Sequence, residues 1–521
     1  MNTYLQLFQI LFLSLFLLNS CAENNSPAPK PNILFAIADD QSFPHAGAYG
    51  CTWVKTPAFD RVAQEGLLFQ QAYTPNAKCA PSRACILTGR NSWQLEEAAN
   101  HWCFFPEKFT SFPEILSANG YSVGRTGKGW APGIARKNGE ARELIGRLYN
   151  DHKLTPPAAH ISPLDYAENF RTFLAEKRAD DPFMFWYGST EPHRAYEFQA
   201  GIQKGGKSLD EITQVPDFWP NNDTVRTDML DYAFEVEHFD QHLGKMLAIL
   251  EEEGLLENTI VIVTSDNGMP FPRVKGQVYE YDHHLPLAIR WGDGIKEPGR
   301  EIGEFVNFID FAPTLLEAAE IPTGGMAEMS GQSLMPLFEN TSDPARKDYV
   351  LIGKERHDIG RPGDVGYPVR GIIQDGFSLT LNFEPERWPT GNPEMGYLNT
   401  DGSPTKTTIL NENRRKESSQ YWTWNFGKKP EEELYDLTKD PFCLQNLAYE
   451  PAFQEEKNRL KELLIAELTK QQDPRILGNG EVFDQYPYAD AENVGFYERF
   501  QAGEFSPEDA GWVNPGDFEK E

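Results

Sequence analysis

The sequence contains few basic residues for its length, and after its first twenty residues it contains no long apolar run. Its 521 residues include 48 Lys and Arg but 78 Asp and Glu, which gives a net charge of −30. This shortage of positive charge excludes nucleic acid as an expected partner and is typical of a soluble surface. Internal repeats and low-complexity segments are also absent. The length predicts a large domain with a smaller partner.

Cysteine is scarce as well: the chain has six, and no Cys-x-x-Cys spacing indicates a zinc site. Cys21 follows an apolar run at residues 7–18, in a context similar to the bacterial lipoprotein cleavage box. We therefore expect a lipoprotein signal at residues 1–21, with lipid on Cys21, and a polar tether at residues 22–30. The lipid would anchor the protein to a membrane of the bacterial cell envelope, in the periplasm or on the outer-membrane surface. Because no Lys or Arg precedes the apolar run, an ordinary signal peptide is the alternative.

Buried strands alternate with helices through residues 31–375. Apolar runs at Asn32–Ala38, Phe183–Tyr187 and Thr259–Thr264 are typical of buried parallel strands. A long helix is expected at about residues 227–253, with one apolar face formed by Leu243, Met246, Leu247 and Leu250. The alternation predicts an α/β sheet with helices on both faces.

The pattern changes after residue 376. A small α+β subdomain is expected over residues 376–470, with strands at Phe377–Asn382 and Tyr421–Asn425 and a loop between about 384 and 414. A helix is expected at about residues 455–470. Residues 471–521 form an acidic, aromatic extension that we expect either to wrap over the surface or to be partly mobile.

Acidic and amide side chains follow two of the predicted strands. Asp39 and Asp40 end the first strand, and Asp266 and Asn267 end a strand more than 200 residues later. Ligands of α/β sheets bind beyond the carboxyl ends of strands, so these residues should meet in space. They offer only oxygen ligands, which predicts a hard cation, Ca²⁺ first and Mg²⁺ second.

A short motif around Cys79 carries the strongest signal. Cys79-Ala-Pro-Ser-Arg83 is followed by Leu87-Thr-Gly-Arg90, and Pro81 and Ser82 predict a helix that ends near Gly89. Cys79 then lies at a helix N-terminus, where an anion is favoured, and Arg83 can offer two N–H groups to an oxyanion. A small buried cysteine before an ordinary helix is the local alternative. The sequence leaves open whether the remaining cysteines pair; these are Cys51, Cys85, Cys103 and Cys443.

This motif resembles the maturation signature of the type I, formylglycine-dependent sulfatases. Further blocks match that family in the same order, over about residues 31 to 450: Asp39-Asp40, Gly127-Lys128, Pro192-His193, Ser265 to Gly268, Lys275, and Glu433 to Pro441 with Asn446. The resemblance implies a fold like that of alkaline phosphatase and sulfatases, with a mixed, mainly parallel sheet between helices and a smaller C-terminal subdomain. It implies that a maturation enzyme oxidises Cys79 to formylglycine.

The resemblance also implies a role for each site residue. Residue 79 would be the nucleophile and a metal ligand beside Asp39, Asp40, Asp266 and Asn267. Lys128 and Lys275 would bind sulfate oxygens, Arg83 would favour the charged nucleophile, and His193 would protonate the leaving oxygen. One departure stands out, since family members often have a histidine two positions after the lysine, where this chain has Trp130. His101 or His284 is the expected substitute, and the expected substrate contacts are His101, Trp130, Arg194 and His284.

Two local blocks narrow the subgroup. Glu191 to Arg194 and Asp266 to Pro272 are similar to the heparan N-sulfatase branch. The resulting expectation is a sulfatase acting on a sulfated polysaccharide or its oligosaccharides, algal ones such as ulvan or carrageenan. An N-sulfoglucosamine sulfohydrolase acting on heparan is the first alternative. A phosphate- or phosphonate-ester hydrolase of the same fold and an inactive sugar-binding lipoprotein are the others.

Overall fold

The structure is a computed structural model that describes residues 29–416 and 419–519. The chain from Pro31 onward forms one compact unit. Cys21 and the predicted signal segment lie outside the described residues, so the lipid anchor stays a prediction. None of the described helices combines the length and the apolar character that crossing a bilayer requires.

The strands carry labels in chain order. They are β1 (Asn32–Ala38), β2 (Leu67–Phe69), β3 (Ala72–Tyr73), β4 (Cys103–Phe105), β5 (Ser122–Gly127), β6 (Gly133–Lys137), β7 (Glu140–Ala141), β8 (Arg147–Leu148), β9 (Phe183–Gly188), β10 (Thr259–Ser265), β11 (Leu287–Arg290), β12 (Arg300–Ile302), β13 (Val306–Asn307), β14 (Tyr349–Lys354), β15 (Val369–Gln374), β16 (Phe377–Asn382) and β17 (Glu432–Asp436).

The helices are labelled in the same way. They are α1 (Pro57–Gln64), α2 (Cys79–Thr88), α3 (Phe112–Ala118), α4 (Tyr166–Glu176), α5 (Ala200–Gln203), α6 (Asp223–Glu252), α7 (Glu280–His283), α8 (Phe311–Ala318), α9 (Met335–Phe338), α10 (Pro404–Lys416), α11 (Gln420–Asn425), α12 (Gln454–Lys470), α13 (Val482–Gln485) and α14 (Phe496–Gln501).

The main sheet has the order β12-β2-β11-β10-β1-β9-β5-β8 within the described residues. β10, β1, β9, β5 and β8 run parallel, whereas β11 runs antiparallel to both of its neighbours. The predicted mixed, mainly parallel sheet is therefore confirmed. Parallel neighbours place their carboxyl ends along one edge, which brings together segments far apart in the chain.

Hydrophobic cores lie on both faces of this sheet. Alternate side chains of β1 enter the two cores, with Ile33, Phe35 and Ile37 on one face and Leu34, Ala36 and Ala38 on the other. α6 covers the second core with the predicted apolar face of Leu243, Met246, Leu247 and Leu250. Burial on both faces explains why β1 is a continuous apolar run, since each fully buried aliphatic side chain contributes about 1.5–3 kcal/mol.

A smaller antiparallel sheet has the order β14-β15-β16-β17. It confirms the predicted α+β subdomain, and α12 packs Leu460 and Leu464 against its apolar face. Its first two strands precede the expected boundary at residues 375 and 376, which falls between β15 and β16. The division of the chain at that point stays a prediction.

Two local expectations in this region were wrong. Tyr421–Asn425 belongs to α11, although tyrosine, tryptophan and threonine favour strands. Tertiary packing overrides that preference, because Tyr421, Trp422 and Trp424 pack against one hydrophobic cluster. The expected loop before residue 414 contains α10, in which Pro404 is the first residue and the Ser403 hydroxyl accepts a hydrogen bond from the Lys406 N–H at 3.0 Å.

The extension packs against the rest of the chain, as expected. Tyr488, Phe496, Ala510 and Val513 are buried in a cluster with Ile359, Met395 and Leu398. The cysteines of the described chain form no disulfide: Cys51, Cys79, Cys85, Cys103 and Cys443 are all free.

Candidate active site

Four neighbouring strands end at one edge of the main sheet and deliver the predicted site residues. β1 and β10 are in register from Asn32 with Thr259 to Ala38 with Ser265, so their following residues start side by side. β5 and β9 end in register at Gly127 and Gly188. The segments that carry the aspartates, Lys128 and His193 therefore leave the sheet at the same edge.

The predicted metal ligands come together at this edge. Ligand atoms of Asp39, Asp40, Cys79 and Asp266 all lie within 4.8 Å of one another, and all four residues are buried. Asn267 donates from Nδ2 to Asp40 at 2.7 Å, while its buried Oδ1 has no partner among the described residues. Three carboxylates and an unpartnered amide oxygen form a donor set that suits a hard divalent cation.

Asp40 adopts a left-handed backbone conformation, with φ of 79°. Its backbone N–H donates to Asp266 Oδ1 at 3.1 Å, and the next N–H, of Gln41, donates to Ser265 Oγ at 2.7 Å. A non-glycine residue in this region is strained, and Asp tolerates it better than most residues. The backbone is therefore shaped to turn two successive carboxylates into the cluster.

Cys79 is the first residue of α2, two residues before the predicted start. Its Sγ lies 3.5 Å from Asp39 Oδ1 and 3.8 Å from Asp40 Oδ1. Burial raises the pKa of the Cys79 thiol well above its usual value, and the carboxylates of Asp39 and Asp266 raise it further against the effect of Lys128. An unmodified Cys79 is thus a protonated thiol and a poor nucleophile.

Arg83 is completely buried behind the cluster. Its Nε donates to Asp266 Oδ2 at 2.7 Å, Nη2 lies 3.4 Å from Asp39 Oδ1, and Nη1 donates to the backbone carbonyls of Lys128 and Gly129. The guanidinium therefore orients carboxylates instead of presenting the predicted free pair of N–H groups to an oxyanion.

Lys128 and Lys275 each contact a different carboxylate of the cluster. Lys128 Nζ lies 2.7 and 2.8 Å from the two oxygens of Asp39, and Lys275 Nζ lies 2.6 Å from Asp40 Oδ2 and 3.1 Å from Asp401 Oδ2. Burial lowers the pKa of each ammonium, but the adjacent carboxylates outweigh it and raise both pKa values above normal. Both side chains are therefore cations at neutral pH.

His193 reaches the cluster through one ring nitrogen. Its Nδ1 donates to the backbone carbonyl of Arg194 at 2.6 Å, because a carbonyl only accepts. Nε2 then faces the carboxylates and lies 3.9 Å from Asp40 Oδ2. The side chain is 38% exposed, so Nε2 is accessible to a bound molecule.

Cys79, Lys128, His193 and Lys275 border a cavity of about 290 Å³. It is lined by Lys78, Cys79, His101, Trp102, Lys128, Ala131, Pro132, His193, Lys275, Asp358, Asp401 and Trp512. Sequence reasoning missed Lys78, Trp102, Asp358, Asp401 and Trp512. Lys78 directly precedes Cys79 and was a detectable neighbour, whereas the others come from loops whose sequence shows no motif.

His101 lies in this cavity, as predicted. Its Nδ1 is 2.9 Å from Asp358 Oδ1, and its Nε2 has no partner among the described residues. Burial lowers the pKa of His101 to about 4, although Asp358 opposes the shift. The ring is therefore neutral at neutral pH, with Nδ1 protonated towards Asp358 and Nε2 able to accept a proton.

The other three predicted substrate contacts lie outside the lining of this cavity. His284 is 2.7 Å from Glu280 and stacks on Phe43, which gives it a structural role instead. The Arg194 side chain is 6% exposed, and its two terminal nitrogens donate to Asp228 at 2.8 and 2.9 Å. Trp130 donates to the Ala80 carbonyl at 3.0 Å and lines an adjoining cavity.

Comparison with known proteins agrees with this geometry. The profile described as Sulfatase matches residues 31–321, more than half of the chain. The chain belongs to the sulfatase family. This sulfatase is accordingly an enzyme that hydrolyses sulfuric esters, and the family resemblance read from the sequence is confirmed.

Individual relatives cover nearly the whole chain. A human N-sulphoglucosamine sulphohydrolase is 28% identical over 87% of this sulfatase and 93% of the relative. An ulvan-active sulfatase from Formosa agariphila is 26% identical, covering 88% of this chain and 78% of the relative. A solved structure in complex with its substrate D-glucosamine-2-N,6-O-disulfate matches with a TM-score of 0.61 and 20% identity, over 85% of this chain and 98% of the other. That likeness confirms the fold.

Proposed function

We propose that this sulfatase removes sulfate from sulfated polysaccharides or their oligosaccharides, with ulvan and carrageenan as the first candidates, and that residue 79 acts as formylglycine. The observation that carries the proposal is that the ligand atoms of three buried carboxylates lie within 4.8 Å of Cys79, which lines one cavity together with His193. Relatives named for ulvan activity support the substrate class. N-sulfated glucosamine of heparan is the second candidate, supported by the human relative.

The unmodified cysteine is poorly suited to the reaction, which favours oxidation of Cys79 by a maturation enzyme. Formylglycine at this position would supply a hydroxyl of its hydrated aldehyde as the nucleophile that attacks sulfur, and loss of the proton from its second hydroxyl would then expel sulfate and re-form the aldehyde. Its place at the start of α2 aligns backbone N–H groups with the developing negative charge. His101, neutral and with a free Nε2, is the proposed acceptor for the proton of that hydroxyl.

The oxygen donors are proposed to hold a divalent cation, with Ca²⁺ preferred to Mg²⁺. Asp39, Asp40, Asp266 and Asn267 fit it because their donors are buried, close together and in part unpartnered. The bound cation would supply charge neutralisation for the sulfate group. Arg83 holds two of these carboxylates, those of Asp266 and Asp39, in place.

Three cationic or acidic groups complete the proposed chemistry. Lys128 and Lys275 lie close enough to the ligand carboxylates to contact sulfate oxygens and stabilise their charge. His193 points its Nε2 into the cavity and is proposed to protonate the leaving oxygen as the sulfur–oxygen bond breaks. Nε2 of His193 then becomes free to accept a proton for the next cycle.

We also propose that Cys21 carries lipid and holds the enzyme in the bacterial cell envelope, facing the periplasm or the outside. The support is the sequence pattern at residues 7–21, and the membrane is the proposed partner. Labelling of cells with a radioactive fatty acid should mark the wild type and not Cys21→Ala. Absence of label from the wild type would favour the ordinary signal peptide, and equal labelling of both would place lipid elsewhere than on Cys21.

The decisive experiment measures sulfate release from defined ulvan, carrageenan and heparin oligosaccharides. Wild type should release sulfate from one class, and Cys79→Ala should release none. Release from the N-position of heparin alone would select the second candidate. Faster hydrolysis of an aryl phosphate than of the matched aryl sulfate would instead assign a phosphatase, and no turnover of any ester would leave a sugar-binding protein.

A further inference from the structure

Two tryptophans and one carboxylate line the cavity without belonging to the predicted metal ligands. Asp401 lies in the loop before α10, Trp102 follows His101, and Trp512 belongs to the C-terminal extension. None of the three has a place in the chemistry proposed above. All three line the cavity together with Cys79 and His193.

Trp512 and the Asp401 loop hold each other in place. The indole N–H of Trp512 donates to the Leu398 carbonyl at 2.8 Å, and the Trp512 carbonyl accepts from the Gly402 N–H at 2.8 Å. These two bonds flank Asp401 on its own loop. Trp512 is only partly buried, so part of its ring is a fixed apolar surface on the cavity.

Trp102 is held by the same extension. Its backbone carbonyl accepts from the Ala489 N–H at 2.7 Å, and its ring lies 6.4 Å from the Tyr488 ring. Trp102 is also only partly buried. The extension thus fixes both aromatic surfaces of the cavity.

Asp401 presents a carboxylate next to the reacting groups. One of its oxygens lies within 4.8 Å of ligand atoms of Asp40 and His193. Lys275 engages Oδ2 at 3.1 Å, and no described residue donates a hydrogen bond to Oδ1. A carboxylate paired with an ammonium accepts hydrogen bonds and repels a nearby anion.

We propose that Asp401, Trp102 and Trp512 form a sugar-binding wall that accepts a sugar with a hydroxyl or amino donor beside the reacting sulfate, and rejects one with a second anion there. This inference rests on the proposed function. The donor would meet Asp401 near His193, while the apolar face of the ring packs on the tryptophans. The C-terminal extension is therefore part of substrate recognition.

The test uses competition against hydrolysis of para-nitrophenyl sulfate, a substrate without a sugar. The competitors are glucose and galactose monosulfates and the corresponding disulfates with adjacent esters. Wild type should be inhibited by at least one monosulfate and about tenfold less by its disulfate. If no monosulfate inhibits, the proposal of a sugar-binding wall is wrong. Aryl sulfate turnover would still be observed in that case, so the proposed function would not be contradicted.

Variants separate recognition from catalysis. Asp401→Asn should weaken inhibition by the best monosulfate about tenfold to a hundredfold, as expected for loss of a hydrogen bond to a charged group. The variant should also reduce the difference between the inhibition constants of that monosulfate and its disulfate. Hydrolysis of para-nitrophenyl sulfate should fall by a smaller factor than the inhibition does, because that substrate has no sugar and senses Asp401 only through its contact with Lys275. Equal losses on both measures would show that Asp401 acts through Lys275 instead. Glu508→Gln removes an exposed carboxylate of the same extension and is the matched control.

The tryptophan is tested by a conservative pair. Trp512→Phe keeps an aromatic surface and loses the hydrogen bond to Leu398, whereas Trp512→Ala loses both. If the ring binds sugar, the phenylalanine variant should retain most of the monosulfate affinity and the alanine variant should lose about tenfold. Equal loss in both, with unchanged thermal unfolding, would reduce Trp512 to a loop anchor and contradict the proposal.

Discussion

Replacing His193 by asparagine should remove the proposed proton donor and keep its loop. Nδ1 of His193 donates to the Arg194 carbonyl at 2.6 Å, and the asparagine amide offers an N–H at a similar position. The lost group is Nε2, which lies 3.9 Å from Asp40 and is exposed to the cavity. General acid catalysis contributes roughly a hundredfold to ten-thousandfold, so the rate on sugar sulfates should fall by that factor.

The assay compares two leaving groups on the same enzyme. A sugar alkoxide needs a proton as it leaves, whereas para-nitrophenolate needs little, so His193→Asn should lose far less kcat on the aryl sulfate. His152, an exposed histidine bonded to Thr172, supplies the control His152→Asn, which should leave both rates unchanged. Equal losses of kcat on the two substrates would remove His193 from the acid role.

Three further predictions concern other buried groups. Cys79→Ala should abolish turnover without changing thermal unfolding, and mass spectrometry of wild type should find the oxidised residue; full activity of the variant would contradict the mechanism. Arg83→Met should lower the free energy of unfolding by about 3–5 kcal/mol in urea titrations, because two buried carboxylates lose their partner. His101 has a folded pKa of about 4 against 6.5 unfolded, so its contribution of about 3 kcal/mol is present above pH 6.5 and lost as pH falls towards 4. His101→Asn should show a smaller decrease in unfolding free energy over that interval, and an identical decrease would refute the assignment.

The cluster of ligands was predictable because each member follows a strong local signal. Asp39 and Asp266 come directly after apolar runs that can only be buried strands, and Cys79 precedes a helix with proline near its start. Parallel pairing of β1 with β10 then turns two local patterns into one site. No information beyond strand type and polarity was needed for that step.

The wall of the cavity was not predictable in this way. The Asp401 loop and the extension are joined by the Gly402 N–H bond to the Trp512 carbonyl and by the Trp512 indole bond to the Leu398 carbonyl, and neither segment has a periodic pattern. The same limit explains α11, where packing of aromatic rings in a cluster outweighs their preference for strands. Arg194 was predicted to contact substrate because it is a cation next to His193. That prediction failed because Arg194 instead pairs with Asp228, a residue of α6 that no local sequence pattern connects to it.

The charged side chains around the cavity sum to a negative charge, whereas binding of a sulfate anion needs a positive one. Five carboxylates face four cations there: Asp39, Asp40, Asp266, Asp358 and Asp401 against Lys78, Arg83, Lys128 and Lys275. With His193 unprotonated, the protein groups alone therefore leave one net negative charge, on a chain whose net charge is already −30. A divalent cation on the ligand cluster changes the local balance to one net positive charge. Affinity for a sulfate ester would then be set by the cation within a few ångströms, while the distant acidic surface is screened by salt.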